Sequence, residues 1–172
     1  DHVGNTANKS AWFIVDRLTP SVSNPQVNDS DLVVRKSFAL KINVSVSDSH
    51  INVVRVGNET NLDMTNTTLT NYEIETTAQA LGCTADDAPC LLTFTAIDLA
   101  GNANRTTTLT LTIDDTSPSV SITSPSVNSW QNDTITIGYD ATDTHPDTCM
   151  WRWNDSDTAW SSWTLISCGA SK

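Results

Sequence analysis

One stretch of this chain returns about 97 residues after it first occurs. The chain opens with DHVGNTANKSAWFIVDRLTPSVS, and from Asp98 it reads DLAGNANRTTTLTLTIDDTSPSVS. Asp1, Gly4 and Asn5 correspond to Asp98, Gly101 and Asn102, and Asp16, Pro20, Ser21 and Val22 correspond to Asp114, Pro118, Ser119 and Val120. Self-similarity at a fixed period means one structural unit used repeatedly. A unit of this size matches one small two-sheet β-sandwich, which takes about 100 residues.

Hydropathy patterning inside the period supports strands. Phe38, Leu40, Ile42, Val44 and Val46 alternate with Ala39, Lys41, Asn43 and Ser45, the period-two pattern of a half-buried strand. Ile135, Ile137, Tyr139 and Ala141 repeat it in the second copy. Further strands are predicted at about 51–56, 72–76 and 90–97, and Leu109, Leu111 and Ile113 alternate with threonines. Ser, Thr and Asn are abundant and compete with helical hydrogen bonding, while Asp, Asn and Gly punctuate the strands as turns. In the Asp98–Asn102 turn, Gly101 supplies positive φ. Asp114–Pro118 reads as a linker that proline stiffens. The expected fold class is all-β.

The net charge of −11 and the isoelectric point of about 4.3 argue against nucleic acid and anionic membrane surfaces as partners. No apolar run is long enough to span a bilayer. Four cysteines fall into two neighbouring pairs, Cys83 with Cys90 and Cys149 with Cys168, neither with zinc-site or redox-motif spacing. Two disulfides and an oxidising, extracellular compartment follow. Asn-x-Ser/Thr sequons stand at Asn8, Asn28, Asn43, Asn58, Asn66, Asn104, Asn132 and Asn154. Chance placement of 15 asparagines in a chain with 45 serines and threonines would give about four. N-linked glycans are therefore expected partners.

The D-x-x-G-N at Asp98–Asn102, the D-x-T-S-P at Asp114–Pro118 and the ATD at Ala141–Asp143 resemble the immunoglobulin-like repeats of large prokaryotic surface proteins. The segment CMWRWNDSDTAWSSW, between Cys149 and Cys168, is similar to repeats of archaeal surface proteins. The resemblance implies tandem immunoglobulin-like sandwiches in adhesins, stalks, envelope proteins or extracellular filaments, and it brings no catalytic residues. An antibody-type Cys…Trp…Cys pattern is missing from the first unit.

On this reading residues 1–16 are the last turn and strand of a preceding or neighbouring-subunit unit, 17–115 a complete sandwich, and 116–172 the N-terminal half of a further one. Two origins stay open: a fragment of a longer array, or a protomer whose strand Ser10–Asp16 completes the next subunit's sandwich. Trp12, Phe13, Ile14 and Val15 are apolar on both faces of that strand, which marks an interface with other copies or further modules.

Asp98, Asp114 and Asp115, grouped near one end of the first unit, and Asp140, Asp143 and Asp147 in the second make calcium the one cofactor to consider, with solvated turn aspartates the simpler account. Trp151, Trp153, Trp160 and Trp163 are read as core or subunit contact, with sugar stacking as the rival. His2, His50 and His145 are scattered, and no nucleophile elbow, phosphate loop or zinc-protease motif occurs. The chain reads as a non-enzymatic, glycosylated structural segment of a cell-surface or extracellular polymer. The alternative is a carbohydrate-binding adhesin module that uses the tryptophan-rich hairpin.

Overall fold

The computed structural model describes residues 9–130, 134–154 and 159–168. They are all-β, with thirteen strands. Nine belong to the first unit: β1 (Ser21–Val27), β2 (Val33–Val34), β3 (Ala39–Ser47), β4 (Ile51–Gly57), β5 (Leu62–Asp63), β6 (Thr65–Asn66), β7 (Asn71–Thr77), β8 (Ala88–Asp98) and β9 (Ala103–Ile113). Four follow: β10 (Ser119–Ser124), β11 (Gly138–Thr142), β12 (Cys149–Trp151) and β13 (Thr164–Ile166).

The first nine strands form two sheets, ordered β1-β3-β7-β6 and β2-β9-β8-β4-β5. Alternation decides which side chains meet between them. From β3, Leu40, Ile42, Val44 and Val46 point inward at 0–1% exposure. Cys90, Leu92, Phe94 and Ala96 of β8, Val54 and Val56 of β4, and Leu111 and Ile113 of β9 face them. Period-two burial on both layers gives one continuous apolar interior, the arrangement of a sandwich. The Cys83–Cys90 disulfide lies inside this core, with both half-cystines nearly fully buried, and joins the connection after β7 to β8.

The segment from β1 to β2 crosses between the layers. β1 pairs antiparallel with β3, whereas Val33 and Val34 run parallel to Thr112 and Ile113 of β9. The β1–β3 register shifts between Ser23 and Gln26, where Asn24 takes a φ of 52° ahead of Pro25. A proline without an N–H belongs on an edge strand, and β1 is one. The other outer strands, β5, β6 and β2, have two residues each, which limits the unpaired backbone they present. Gly57 is required by close approach: a Cβ there would stand 1.5 Å from the Thr60 carbonyl oxygen.

Two sequence expectations shift. Phe38 falls one residue outside β3 and is 52% exposed. The second-copy strand starts at Gly138, not Ile135. Its partner ladder ends where Ser124 meets Gly138, because Pro125 lacks an N–H with which to extend it. Ser10–Asp16, whose expected partner is another module, joins no sheet among the described residues. β10 pairs with β11, and β12 with β13 as the hairpin closed by Cys149–Cys168. The Tyr139 hydroxyl donates to the Ser167 carbonyl at 2.8 Å and ties the two pairs together. Among the described residues, no helix is long and apolar enough to cross a membrane.

Phe94 is fully buried between the layers, so Phe94→Ala should cost about 3–5 kcal/mol in denaturant unfolding. Phe38→Ala, at the exposed start of the same sandwich, should stay within about 0.5 kcal/mol of the parent.

Candidate functional site

The recurring D-x-x-G-N motif is a clamp at one end of the sandwich. Asp98 closes β8 and is 1% exposed. Its two carboxylate oxygens accept bonds from the Asn102 backbone N–H and the Asn102 side-chain amide, both at 2.8 Å. Gly101 sits between them at a φ of 92°, in the left-handed region. The same Asn102 amide also donates to the Asp16 carbonyl at 3.2 Å, so the turn grips the chain leading into β1. Asn102 is therefore a junction residue, and its recurrence with Asp98 and Gly101 was the signal for it. Burial pushes the Asp98 carboxyl upward, but the Asn102, Gly101 and Ala100 donors outweigh it and hold the group below its usual range.

The opposite end carries a charged network. The Lys36 backbone N–H donates to Asp115 Oδ1 at 3.0 Å, and its Nζ lies 3.7 Å from Asp115 Oδ2 and 4.0 Å from Asp86 Oδ2. The Asp115 backbone N–H bonds to Asp86 Oδ1 at 2.7 Å. That bond is the largest influence on Asp86, and with Lys36 it keeps the carboxyl below its usual range against the burial that would raise it. These contacts brace the Asp114–Pro118 linker against the sandwich.

The six aspartates considered for calcium do not come together. β8 and β9 pair along their length, from Ala88 opposite Ile113 to Ile97 opposite Ala103, so Asp98 sits at the far end from Asp114 and Asp115. Asp98 is committed to Asn102, Asp115 to Lys36, and Asp143 to the His145 backbone N–H at 2.8 Å. Asp140 and Asp147 are exposed. Among the described residues, only Asp114 of the six belongs to a group of three ligand-type side chains near one point.

The sequons divide by what their amides already do. Asn28, Asn66 and Asn154 are exposed, and Asn43 lies half-buried on the outer face of β3. Asn104 uses its side-chain nitrogen, the atom that would carry a glycan, to bond the Pro20 carbonyl at 2.9 Å. Asn58 points its own at Cys90 Sγ, 3.3 Å away. Asn8 and Asn132 lie outside the described residues.

Apolar surface is concentrated at both extremities. Trp12, Phe13, Ile14 and Val15 are 97, 86, 82 and 63% exposed. A cleft of about 540 Å³ opens between the linker and the last four strands, lined on its apolar side by Val120, Tyr139, Ala141, Met150 and Ile166. None of the four hairpin tryptophans is buried. Arg152 lies over the rings of both Trp160 and Trp163, 4.6 and 4.5 Å from their centroids, which occupies a face of each.

Two outcomes follow. Because Asp98 titrates below its usual value of 3.8, its stabilisation is complete at neutral pH and is lost as pH falls through the folded value. The melting-temperature gap between the parent and Asp98→Asn should therefore narrow on acidification below about pH 4, and a constant gap would contradict the clamp. Site-resolved mass spectrometry of the native protein should find glycan at Asn28, Asn66 and Asn154, and an unmodified Asn104. Compared with known proteins, the chain matches no family model and no curated sequence.

Proposed function

We propose that this chain is a load-bearing segment of an extracellular, glycosylated filament, stalk or cell-surface protein built from tandem immunoglobulin-like sandwiches. On this reading residues 17–115 are one sandwich module, and residues 1–16 and 116–172 belong to its neighbours in the array. The observation that carries this reading is the contrast between a closed central core and apolar surface left open on either side of it. Trp12–Val15 have the sequence position of β9 in the repeat but no sheet to join within the chain. The cleft beside β10–β13 has an apolar side formed by Val120, Tyr139, Ala141, Met150 and Ile166, and on this reading it is where opposing strands would pack. Burying a flat two-faced apolar strand against another module, upstream in the same protein or in a neighbouring copy, satisfies both surfaces and both sets of unpaired backbone groups.

Head-to-tail contact of this kind does not close on itself, so it extends into a linear polymer. Two disulfides and an acidic, glycan-bearing surface suit an oxidising exterior. A proline-containing linker braced by Lys36, Asp86 and Asp115 suits a stiff rod. A carbohydrate-binding role remains the second reading because Trp151 and Trp153 are 40 and 53% exposed on the hairpin.

Deleting residues 1–16 should reduce association of the purified chain to monomer, as read by analytical ultracentrifugation, while leaving the melting of the central sandwich unchanged. Equal association with and without the segment would sink strand-mediated assembly.

A further inference from the structure

Both junctions of the repeat carry the same side-chain arrangement, and it is one that neither the sandwich core nor the proposed assembly uses. At the first junction Asp16 folds back so that its Oδ1 accepts the Leu18 backbone N–H at 3.0 Å. At the second, Asp114 Oδ1 accepts the Thr116 backbone N–H at the same distance. Each turn leaves Oδ2 directed at a histidine. His50 Nδ1 lies 3.9 Å from Asp16 Oδ2, and His145 Nδ1 lies 3.4 Å from Asp114 Oδ2. The histidines are positioned alike as well: Asp48-Ser-His50 and Asp143-Thr-His145 each bond the histidine N–H to the aspartate two residues earlier, at 2.8 Å in both. One linker aspartate and one D-x-H turn thus recur together, about one period apart.

The second junction is the more enclosed. Asp87 Oδ1 stands 4.0 Å from His145 Nδ1, and the Asp114 side chain is 13% exposed. His145 Nδ1 is buried and makes no hydrogen bond, although two carboxylates face it. A buried polar atom without a partner is rare and costly, and calls for an explanation. A cation between the three side chains supplies one.

We propose that Asp87, Asp114 and His145 form a divalent-cation site for a zinc-class ion that locks the second module junction; His50 at the first junction is more exposed and is not assigned an ion. Two ligand atoms each about 2.1 Å from a tetrahedral ion stand about 3.4 Å apart, which is close to the His145–Asp114 separation. All three ligand atoms lie within 4.8 Å of one another. One imidazole nitrogen with two carboxylate oxygens suits zinc. Calcium takes six to eight oxygens and gains little from a nitrogen donor. Asp87 comes from the disulfide-bearing loop of the closed sandwich, Asp114 from the linker, and His145 from the turn after β11. An ion held by all three therefore fixes how consecutive units sit. This assignment rests on the buried His145 nitrogen and the two carboxylates facing it, and stands or falls apart from polymer formation.

Isothermal titration of the chelator-stripped full chain with zinc chloride, and separately with calcium chloride, tests it. We expect one tight zinc event per chain that raises the melting temperature. His145→Ala and Asp114→Asn should each abolish it, while His50→Ala and the exposed Asp147→Asn leave it intact. Metal-free melting curves of the variants separate a lost ligand from a lost fold, and Asp87→Asn replaces any variant that fails to fold. No zinc event, a zinc event that survives both His145→Ala and Asp114→Asn, or calcium binding indifferent to His145 would overturn the assignment.

Discussion

Everything else in this molecule is hung on the apposition of β3 and β8. Their inward residues, Leu40, Ile42, Val44 and Val46 on one side and Leu92, Phe94 and Ala96 on the other, are withdrawn from water almost completely. Apolar burial is the main favourable contribution to folding, and this interior is where the chain makes it. Because β8 is held here, its two ends become fixed points: Asp98 with its Asn102 clamp at one, and Asp86 and Asp87 beside the linker at the other. The junction chemistry depends on a rigid β8–β9 hairpin between them, and a core that loosened would release both ends together.

The two ends are built differently. At the Asp98 end, a neutral amide saturates a buried carboxylate and also reaches the incoming chain through the Asp16 carbonyl. A charged group removed from water needs its lone pairs filled, and Asn102 fills them with geometry that the glycine turn makes possible. At the Asp115 end, a lysine and several carboxylates share a more exposed network whose pairwise strength is screened by solvent. The first holds the turn's shape and the second braces the linker against the sandwich.

Outside the closed sandwich the balance of surfaces reverses. Ile122 in β10 and Leu165 in β13 are 67 and 71% exposed. Alternation gives such strands an apolar face, and among the described residues that face stays largely uncovered here. The Trp12–Val15 run shows the same mismatch from the other side.

Much of this was legible in the residues. Strict alternation in Leu40–Val46 and Leu109–Ile113 announced strands and named the side that would be buried, since period two leaves no other face. The spacing of the cysteines matched the two disulfides, and the repeated D-x-x-G-N turn marked the clamp at Asp98–Asn102. Sequence could not say which distant groups those turns would meet. Grouping Asp98 with Asp114 was natural for residues sixteen positions apart, yet a long antiparallel hairpin puts them at opposite ends. Nothing local marked Asn104 as bonded to Pro20, or His145 as facing Asp87, because those encounters are set by how two sheets and a linker pack across more than fifty residues of chain. Local patterning determined the strands, their faces and the repeat. Tertiary packing decided which polar atoms were left facing one another, because only the assembled layers set distances between residues remote in sequence.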